Sequence, residues 1–252
     1  MQIIQQKALK FASNQNAYLK VLEKAYTFLI MFVKENADNQ NIVLEYIEDF
    51  LDDLDLGVHA LELIKELFTD NQNLLEYPLA PLMRRLAMSI DSIEKESMKK
   101  ATLLSFIPQF MCYRGEYQRG LQYLILSEFT SSARRNSNFL YVGEKGQQEL
   151  AIQMEEMRDA YEQFMKNPSL VAEIEMPPEM CYTMMYIRLI AMSGMGKNVQ
   201  CETRAQALLP MKDLAQNLDL ADFCYPLKQS LVLFLEQVYL DTEKEIGEDF
   251  TN

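Results

Sequence analysis

The feature that most constrains the fold is a polar tetrapeptide that occurs twice between apolar segments of helical period. Asp-Asn-Gln-Asn stands at residues 38–41 and again at 70–73, 32 positions later. Each copy directly follows one apolar stripe and directly precedes another. Asp and Asn favour helix N-caps because their side-chain oxygens accept hydrogen bonds from amides of the first turn. The sequence therefore predicts a unit of helix, capping turn and helix, used at least twice.

Apolar side chains recur at three- and four-residue spacing, the period of an amphipathic helix. The first stripes are Val21, Ala25, Leu29, Phe32 and Val33, then Ile42, Tyr46, Ile47, Phe50 and Leu51, then Val58, Leu61, Ile64, Leu67 and Phe68. Two helices in each unit of about 30 to 45 residues are typical of armadillo and HEAT stacks. Neighbouring hairpins cover stripes that one hairpin cannot bury. We expect an all-α fold, an armadillo- or HEAT-like α-solenoid of stacked helical hairpins; an irregular helical bundle is the alternative.

The pattern divides the chain into three segments. Residues 1–129 are predicted to form a first block of helical repeats. Residues 130–178 begin with an aperiodic stretch rich in Ser, Asn, Gly and Arg, followed by a more polar helix. Residues 179–252 are predicted to form a second block that continues the solenoid. No polar capping repeat is evident at either end, which is consistent with a piece of a longer stack.

The charge and apolar content of the chain exclude several classes of partner. The formal net charge of −13 is spread along the sequence, so most faces would repel a nucleic-acid backbone. The most apolar run, residues 25–33, is far shorter than the roughly 20 residues that cross a bilayer as helix. The four cysteines form no CxxC pair, and the first residues do not resemble a signal peptide. We expect a cytoplasmic location with free thiols, no nucleic-acid partner and no direct membrane insertion.

The sequence predicts no catalytic residue, no cofactor and no metal ligand. His59 is the only histidine, and no serine or cysteine nucleophile stands near it, so a surface or capping role is expected and the chain is predicted not to be an enzyme. With Gly57 as the sixth residue of an EF-hand loop, the third would be Leu54, which offers no oxygen ligand. An acidic cluster comprises Glu45, Glu48, Asp49, Asp52, Asp53 and Asp55. It is interpreted as a solvated helix face, and a weak surface calcium site is the alternative.

Three other motifs have both a structural and a functional interpretation. Gly194-Met195-Gly196-Lys197 lacks the earlier glycine and the hydroxyl residue of a phosphate loop and follows a predicted helix, so it is interpreted as a helix end. Arg134 and Arg135 precede Ser137 as basophilic kinases prefer, which makes Ser137 a candidate for regulatory phosphorylation. The third motif is a stripe of methionines: Met176, Met180, Met184, Met185, Met192 and Met195. Core filling is the favoured interpretation of this stripe, and an adaptable binding surface is the alternative.

Two segments resemble the cytosolic region of the inositol trisphosphate receptor family of calcium-release channels. Residues 186–218, YIRLIAMSGMGKNVQCETRAQALLPMKDLAQNL, are similar in their Gly-Lys-Asn-Val turn and Leu-Leu-Pro helix start, and residues 239–252, YLDTEKEIGEDFTN, in Asp-Thr-Glu. The residues that carry this similarity are Gly196, Lys197, Asn198, Val199, Leu208, Leu209, Pro210, Asp241, Thr242 and Glu243. Upstream, residues 21–129 resemble the homology domain (RIH) shared by inositol trisphosphate and ryanodine receptors, in NADNQNIVLEYIEDFL and LIKELFTDNQNLL.

The resemblance implies a solenoid on the cytosolic face of a calcium-store membrane that carries a ligand-driven rotation toward a pore. Its partners would be other domains or subunits of a calcium-release channel. The basic cluster that binds inositol phosphates in that family has no counterpart here, so direct inositol phosphate binding is not expected. The alternative is a stand-alone helical-repeat scaffold that holds other cytosolic proteins, for example in a cytoskeletal assembly.

Overall fold

The structure is a computed structural model that describes residues 15–71, 79–93, 98–131, 140–166, 176–221 and 224–242. Within these ranges nearly all regular structure is helical, so the all-α class predicted from the apolar spacing is confirmed. Two two-residue strands, β1 (Cys112–Tyr113) and β2 (Glu116–Tyr117), pair as a short hairpin. None of the helices described is long and apolar enough to cross a membrane.

The chain forms two compact units. The first comprises Met1–Leu79 with Tyr113–Gly115, and the second comprises Ala80–Cys112 with Glu116–Asn252. The predicted segments 1–129, 130–178 and 179–252 divide the chain by sequence pattern, and that division stays a prediction.

The first unit contains four α-helices among the residues that the structure describes: α1 (Gln15–Val33), α2 (Ala37–Leu44), α3 (Ile47–Asp52) and α4 (Ala60–Phe68). A 3₁₀ turn, Leu54–Leu56, follows α3. The apolar face of α4 is buried and packs against α1, α2 and α3. The stripe from 42 to 51, predicted as one helix, is instead two short helices, because the backbone leaves helical geometry at Tyr46 (φ −102°, ψ 16°).

The two copies of Asp-Asn-Gln-Asn do not both act as capping turns. Asn36, outside the tetrapeptide, is the N-cap of α2: its side chain accepts a hydrogen bond from the Asn39 amide at 3.1 Å, and residues 38–41 lie inside the helix. The prediction of a capping turn at 38–41 is therefore wrong, because an asparagine two positions earlier supplies the capping oxygen. In the second copy Asp70 and Asn71 follow the end of α4, and 72–73 lie outside the described residues.

One residue of each copy nevertheless contacts the other. The Asn71 side-chain amide donates to Oδ1 of Asn41 at 3.1 Å. Gln40, which is buried, donates to the carbonyl oxygens of Glu66 and Thr69 at 2.8 and 3.2 Å. Because the last carbonyls of a helix have no partner inside it, Gln40 completes the end of α4. Residues of the repeated tetrapeptide thus join α2 to the end of α4.

The second unit is arranged around one buried helix, α9 (Pro178–Gly194), which packs on helices before and after it. Apolar residues surround its axis, as the sequence predicted from its lack of polar positions. Met180 and Met184 are buried, as the interpretation of core filling predicts, whereas Met176, Met185, Met192 and Met195 are half-buried. The other elements are α5 (Leu79–Ser92), α6 (Met98–Phe106), a 3₁₀ helix (Ile107–Met111), α7 (Arg119–Phe129), α8 (Gly143–Lys166), α10 (Val199–Leu208), α11 (Met211–Leu220), α12 (Tyr225–Leu235) and a π-helical turn (Glu236–Leu240).

Candidate coupling site

The turn between α9 and α10 contains the motif that carries the family resemblance. Gly196 and Lys197 both adopt left-handed backbone conformations, with φ of 73° and 61°. Glycine takes this conformation without strain, whereas lysine does so only where the surrounding structure holds it. The segment before the turn is helix and not strand, so the interpretation of the glycine motif as a helix end agrees with the structure.

A buried hydrogen-bond network holds this turn against α7. The Asn198 side-chain amide donates to the carbonyl oxygen of Arg119 and to Oε1 of Gln122, each at 3.0 Å. The Gln122 amide in turn donates to the carbonyl oxygens of Met192 and Met195, at 3.3 and 2.7 Å. Asn198 and Gln122 are both buried. Two amide side chains therefore join α7, the end of α9 and the start of α10.

Helix α10, the residue at its end and the last residue of α9 also contact the π-helical turn after α12. The Gln206 amide donates to the carbonyl oxygen of Val238 at 2.8 Å, and the Tyr239 hydroxyl donates to that of Leu209 at 3.0 Å. A Cβ atom at Gly194 would lie 2.9 Å from the carbonyl oxygen of Gln237, closer than side chains tolerate. The close approach of α9 to the π-helical turn therefore requires glycine at this position.

The predicted motif residues are brought together only in part. Lys197 Nζ lies 3.9 Å from Oδ1 of Asp241, an exposed ion pair that joins the two resembling segments. Leu209 is buried and its carbonyl oxygen accepts the hydrogen bond from Tyr239, and Pro210 occupies the N-cap position of α11. Gly196 and Asn198 lie in the turn itself, whereas Val199 is exposed and Leu208 and Thr242 are half-buried. Ser137 and Glu243 lie outside the described residues.

The residues missed by sequence reasoning are the hydrogen-bonding partners Arg119, Gln122, Gln206 and Tyr239. One of them had a readable signal. Gln122 occupies the same helix face as Ile125, Leu126 and Phe129, all buried, and a glutamine on a buried face must find hydrogen-bond partners. Its partners stand at least 70 residues later in the chain, so the sequence could indicate the need but not the contact.

The acidic cluster of the first unit contains a buried carboxyl group. The Tyr26 hydroxyl donates to Oδ2 of Asp53 at 2.8 Å, and both residues are buried. Burial raises the pKa of the Asp53 carboxyl, and the nearby Asp49 and Asp52 raise it further, while the hydrogen bond from Tyr26 opposes both effects. Burial and the same carboxyl also raise the pKa of Tyr26. This part of the cluster is a structural hydrogen bond in the core.

The histidine and the thiols lie in contrasting surroundings. His59 is exposed, with its ring nitrogens 3.6 Å from carboxyl oxygens of Glu23 and Glu62, and it stands before α4 without a side-chain capping bond. All four cysteines are free. Burial raises the pKa of Cys201 to about 12, so its thiol is protonated at neutral pH and is a poor nucleophile.

The described residues contain an open cleft but no cluster of metal-ligating side chains. Within the ranges that the structure covers, no three His, Cys, Asp or Glu side chains are placed to share a metal ion. An open cleft of about 430 Å³ between α8 and α11 is lined by Glu144, Gln147, Gln148, Ala151, Gln216, Asp219 and Leu220. Its lining surface is mainly apolar, with amide and carboxyl side chains that can form hydrogen bonds.

A scan of the sequence against protein-family models finds no matching family. The structure itself defines the class of the molecule: an all-α protein in which buried amide hydrogen bonds join α7, α9 and α10.

Proposed function

We propose that this chain is a coupling segment of the cytosolic region of a calcium-release channel resembling the inositol trisphosphate receptors. It acts by transmitting a conformational change between neighbouring domains and does no chemistry of its own. The helices stack as armadillo-like hairpins on the cytosolic side of a calcium-store membrane, and the partners are other domains or subunits of the channel.

The observation that carries this proposal is the packing of the two resembling segments against each other. Lys197 with Asp241 and Leu209 with Tyr239 join residues 186–218 to the described part of 239–252. Gln206 contacts Val238, the residue directly before that segment. A displacement of α12 is therefore passed to α10 through direct hydrogen bonds, and from α10 to α7 through Asn198. Coupling between distant sites requires such a chain of packed elements.

Contacts between the two tetrapeptides support the stacking of neighbouring helices in the proposal. The Asn41–Asn71 hydrogen bond joins the fourth residue of the first copy to the second residue of the other, and Gln40 completes the end of α4. In a stack of hairpins, each unit is stabilised by contacts with its neighbours.

The test compares two substitutions of the same kind on one helix, in the full-length gene product in membranes. Gln206→Leu removes the hydrogen bond to the π-helical turn, whereas Gln200→Leu changes an exposed side chain of the same helix, α10. The loss of one hydrogen bond costs about 1 kcal/mol, which leaves the fold intact. We expect Gln206→Leu to reduce calcium release at saturating ligand several-fold with unchanged ligand affinity, and Gln200→Leu to match the wild type. A coding sequence without pore helices, or equal release from both variants, would overturn the proposal.

A stand-alone scaffold is the second candidate function, and the exposed apolar side chains of α1 favour it. A scaffold would be recovered from cells in a stable complex that does not sediment with membranes. Fractionation of the endogenous protein therefore separates the two candidates.

A further inference from the structure

Thr242, the last residue that the structure describes, begins a sequence pattern found nowhere else in the chain. Residues 242–245 read Thr-Glu-Lys-Glu, and Thr242 is the only serine or threonine of the sequence with an acidic residue three positions later. Acidophilic serine/threonine kinases select their substrates by carboxylates directly after the hydroxyl residue and at this third position. The pattern therefore indicates a substrate of that class, whereas Ser137 has the pattern of the basophilic class.

Thr242 lies where a kinase can reach it. The residue is half-buried, and it stands beyond the end of the π-helical turn, outside regular secondary structure. Leu240 and Asp241, directly before it, are exposed. The hydroxyl of a kinase substrate must come into line with the γ-phosphate of ATP, and a residue that has left the helix can adopt that position without breaking helical hydrogen bonds.

A lysine of the facing turn lies close to this position. Lys197 Nζ is 3.9 Å from Oδ1 of Asp241, the residue directly before Thr242. This distance is longer than a hydrogen bond, and an ammonium group has three donors. Because adjacent Cα atoms are only about 3.8 Å apart, a phosphate on Thr242 would come within reach of the long lysine side chain. Lys197 can therefore donate to such a phosphate while it remains near Asp241.

We propose that Thr242 is phosphorylated by an acidophilic kinase, and that its phosphate binds Lys197 and fastens the π-helical turn to the turn between α9 and α10. The Thr242 hydroxyl oxygen attacks the γ-phosphorus of ATP, so that a new O–P bond forms as the bond to ADP breaks, and the hydroxyl proton passes to a carboxylate of the kinase. This modification goes beyond the proposed function and depends on neither candidate.

The sign of the effect follows from which charges belong to which element. A phosphothreonine carries a charge of about −1.5 to −2 at neutral pH. The carboxylates at 236, 241, 243 and 245 repel it, but they belong to the same segment as Thr242, so they repel it whether or not that segment is docked. Only a difference between the docked and released states shifts the balance between them. Lys197, on the facing turn, supplies that difference.

The other charged groups of the facing elements do not reverse this sign. Arg119 lies at the same turn as Lys197, with Nη2 3.5 Å from the carbonyl oxygen of Gly196, and adds a second positive charge there. Glu202 of α10 and Asp213 of α11 are the carboxylates that lie near the π-helical turn, and they do so at its residues 237 and 239, before Thr242. Phosphorylation should therefore stabilise the docked turn.

Incubation of the purified chain with an acidophilic kinase and ATP tests the site. Mass spectrometry should show one phosphoryl group per chain, on Thr242. Thr242→Val should abolish the modification, and Glu245→Gln should slow it about ten-fold through the loss of a charged contact with the kinase. Thr203→Val, at an exposed threonine of α10, is the control and should react like the wild type. No modification, modification of another residue in its place, or an unchanged rate in Glu245→Gln would each overturn the proposal.

Hydrogen exchange of the phosphorylated chain tests the contact with Lys197. The amides of residues 236–241 should exchange about two- to five-fold more slowly than before phosphorylation, the range expected for one exposed ion pair. Lys197→Met should remove this slowing, whereas Lys145→Met, at an exposed lysine of α8, should keep it. Equal slowing in the phosphorylated Lys197→Met variant, or none in the wild type, would contradict the proposed role of the phosphate.

Discussion

Replacement of Asn198 by alanine should destabilise the second unit far more than replacement of its neighbour. The side chain makes two hydrogen bonds of 3.0 Å, to Gln122 and to the Arg119 carbonyl, and it is almost wholly buried. Alanine leaves both acceptors buried without this donor. Each such loss costs about 1 to 3 kcal/mol, and since the Arg119 carbonyl keeps its place in a helix we expect about 2 to 4 kcal/mol in total.

Reorientation of Gln122 cannot compensate. Its amide nitrogen donates to the carbonyls of Met192 and Met195, so turning the amide group round would break those bonds to satisfy another. The loss should therefore appear nearly in full, as a fall in Tm of roughly 4 to 16 °C for a unit of this size. The matched control is Val199→Ala, since Val199 is exposed and its truncation should change the free energy of unfolding by about 0.5 kcal/mol or less.

The assay is urea unfolding followed by far-UV circular dichroism, together with hydrogen exchange of the α10 amides. Asn198→Asp extends the test, because its carboxylate would face two oxygen acceptors. The folded state should then favour the protonated carboxyl, so the stability of this variant should fall as pH rises above the ordinary aspartate pKa. If Asn198→Ala lies within 0.5 kcal/mol of Val199→Ala, the network does not hold the turn and the reasoning is refuted.

Three further predictions concern other buried groups. Tyr26→Phe should destabilise the first unit by about 1.5 to 3 kcal/mol at pH 7, as measured by denaturant titration, and by less at pH 4.5. Burial raises the pKa of Asp53, so the stability of the unit falls as pH rises above the ordinary aspartate pKa. Loss of the tyrosine donor makes this fall in stability steeper, because the hydrogen bond from Tyr26 opposes the rise in the pKa. Gly194→Ala should cost about 1 to 3 kcal/mol in thermal unfolding, whereas Gly120→Ala, with open space around the new Cβ, should be neutral or stabilising. Cys201 should react with a thiol reagent at pH 8 at least about 100-fold more slowly in the folded protein than in urea, as mass spectrometry can show, because its thiol is buried with a pKa raised to about 12.

The parts of the fold that could be predicted from sequence are those that local periodicity determines. The apolar stripe that starts at Val21 gave helix α1, and the lack of polar positions after Glu179 indicated the burial of α9. In both cases the side chains that must leave water repeat with the period of the helix itself. The helix end at Gly194 was also predictable, since glycine followed by Gly196 and Lys197 marks a left-handed turn.

The remaining features depend on partners that are distant in sequence. The backbone break at Tyr46 interrupts an apolar stripe that continues on both sides of it. Gln122 and Asn198 are ordinary polar residues until the fold places them together, and neither periodicity nor a motif identifies the pair. The capping turn at 38–41 was predicted wrongly because four residues offered capping side chains, and the choice of Asn36 depends on backbone geometry.

The π-helical turn after α12 has one side in solvent and the other against the core of the second unit. Leu240 faces outward, while the Val238 carbonyl and the Tyr239 hydroxyl hold α10 and its end from within. A partner that binds the outer side would therefore contact a backbone segment that is also packed against α9 and α10. An insertion or deletion of a single residue in this turn would rotate the position of Leu240 about the helix axis. The length of the turn therefore determines which side chain is exposed at this point of the surface.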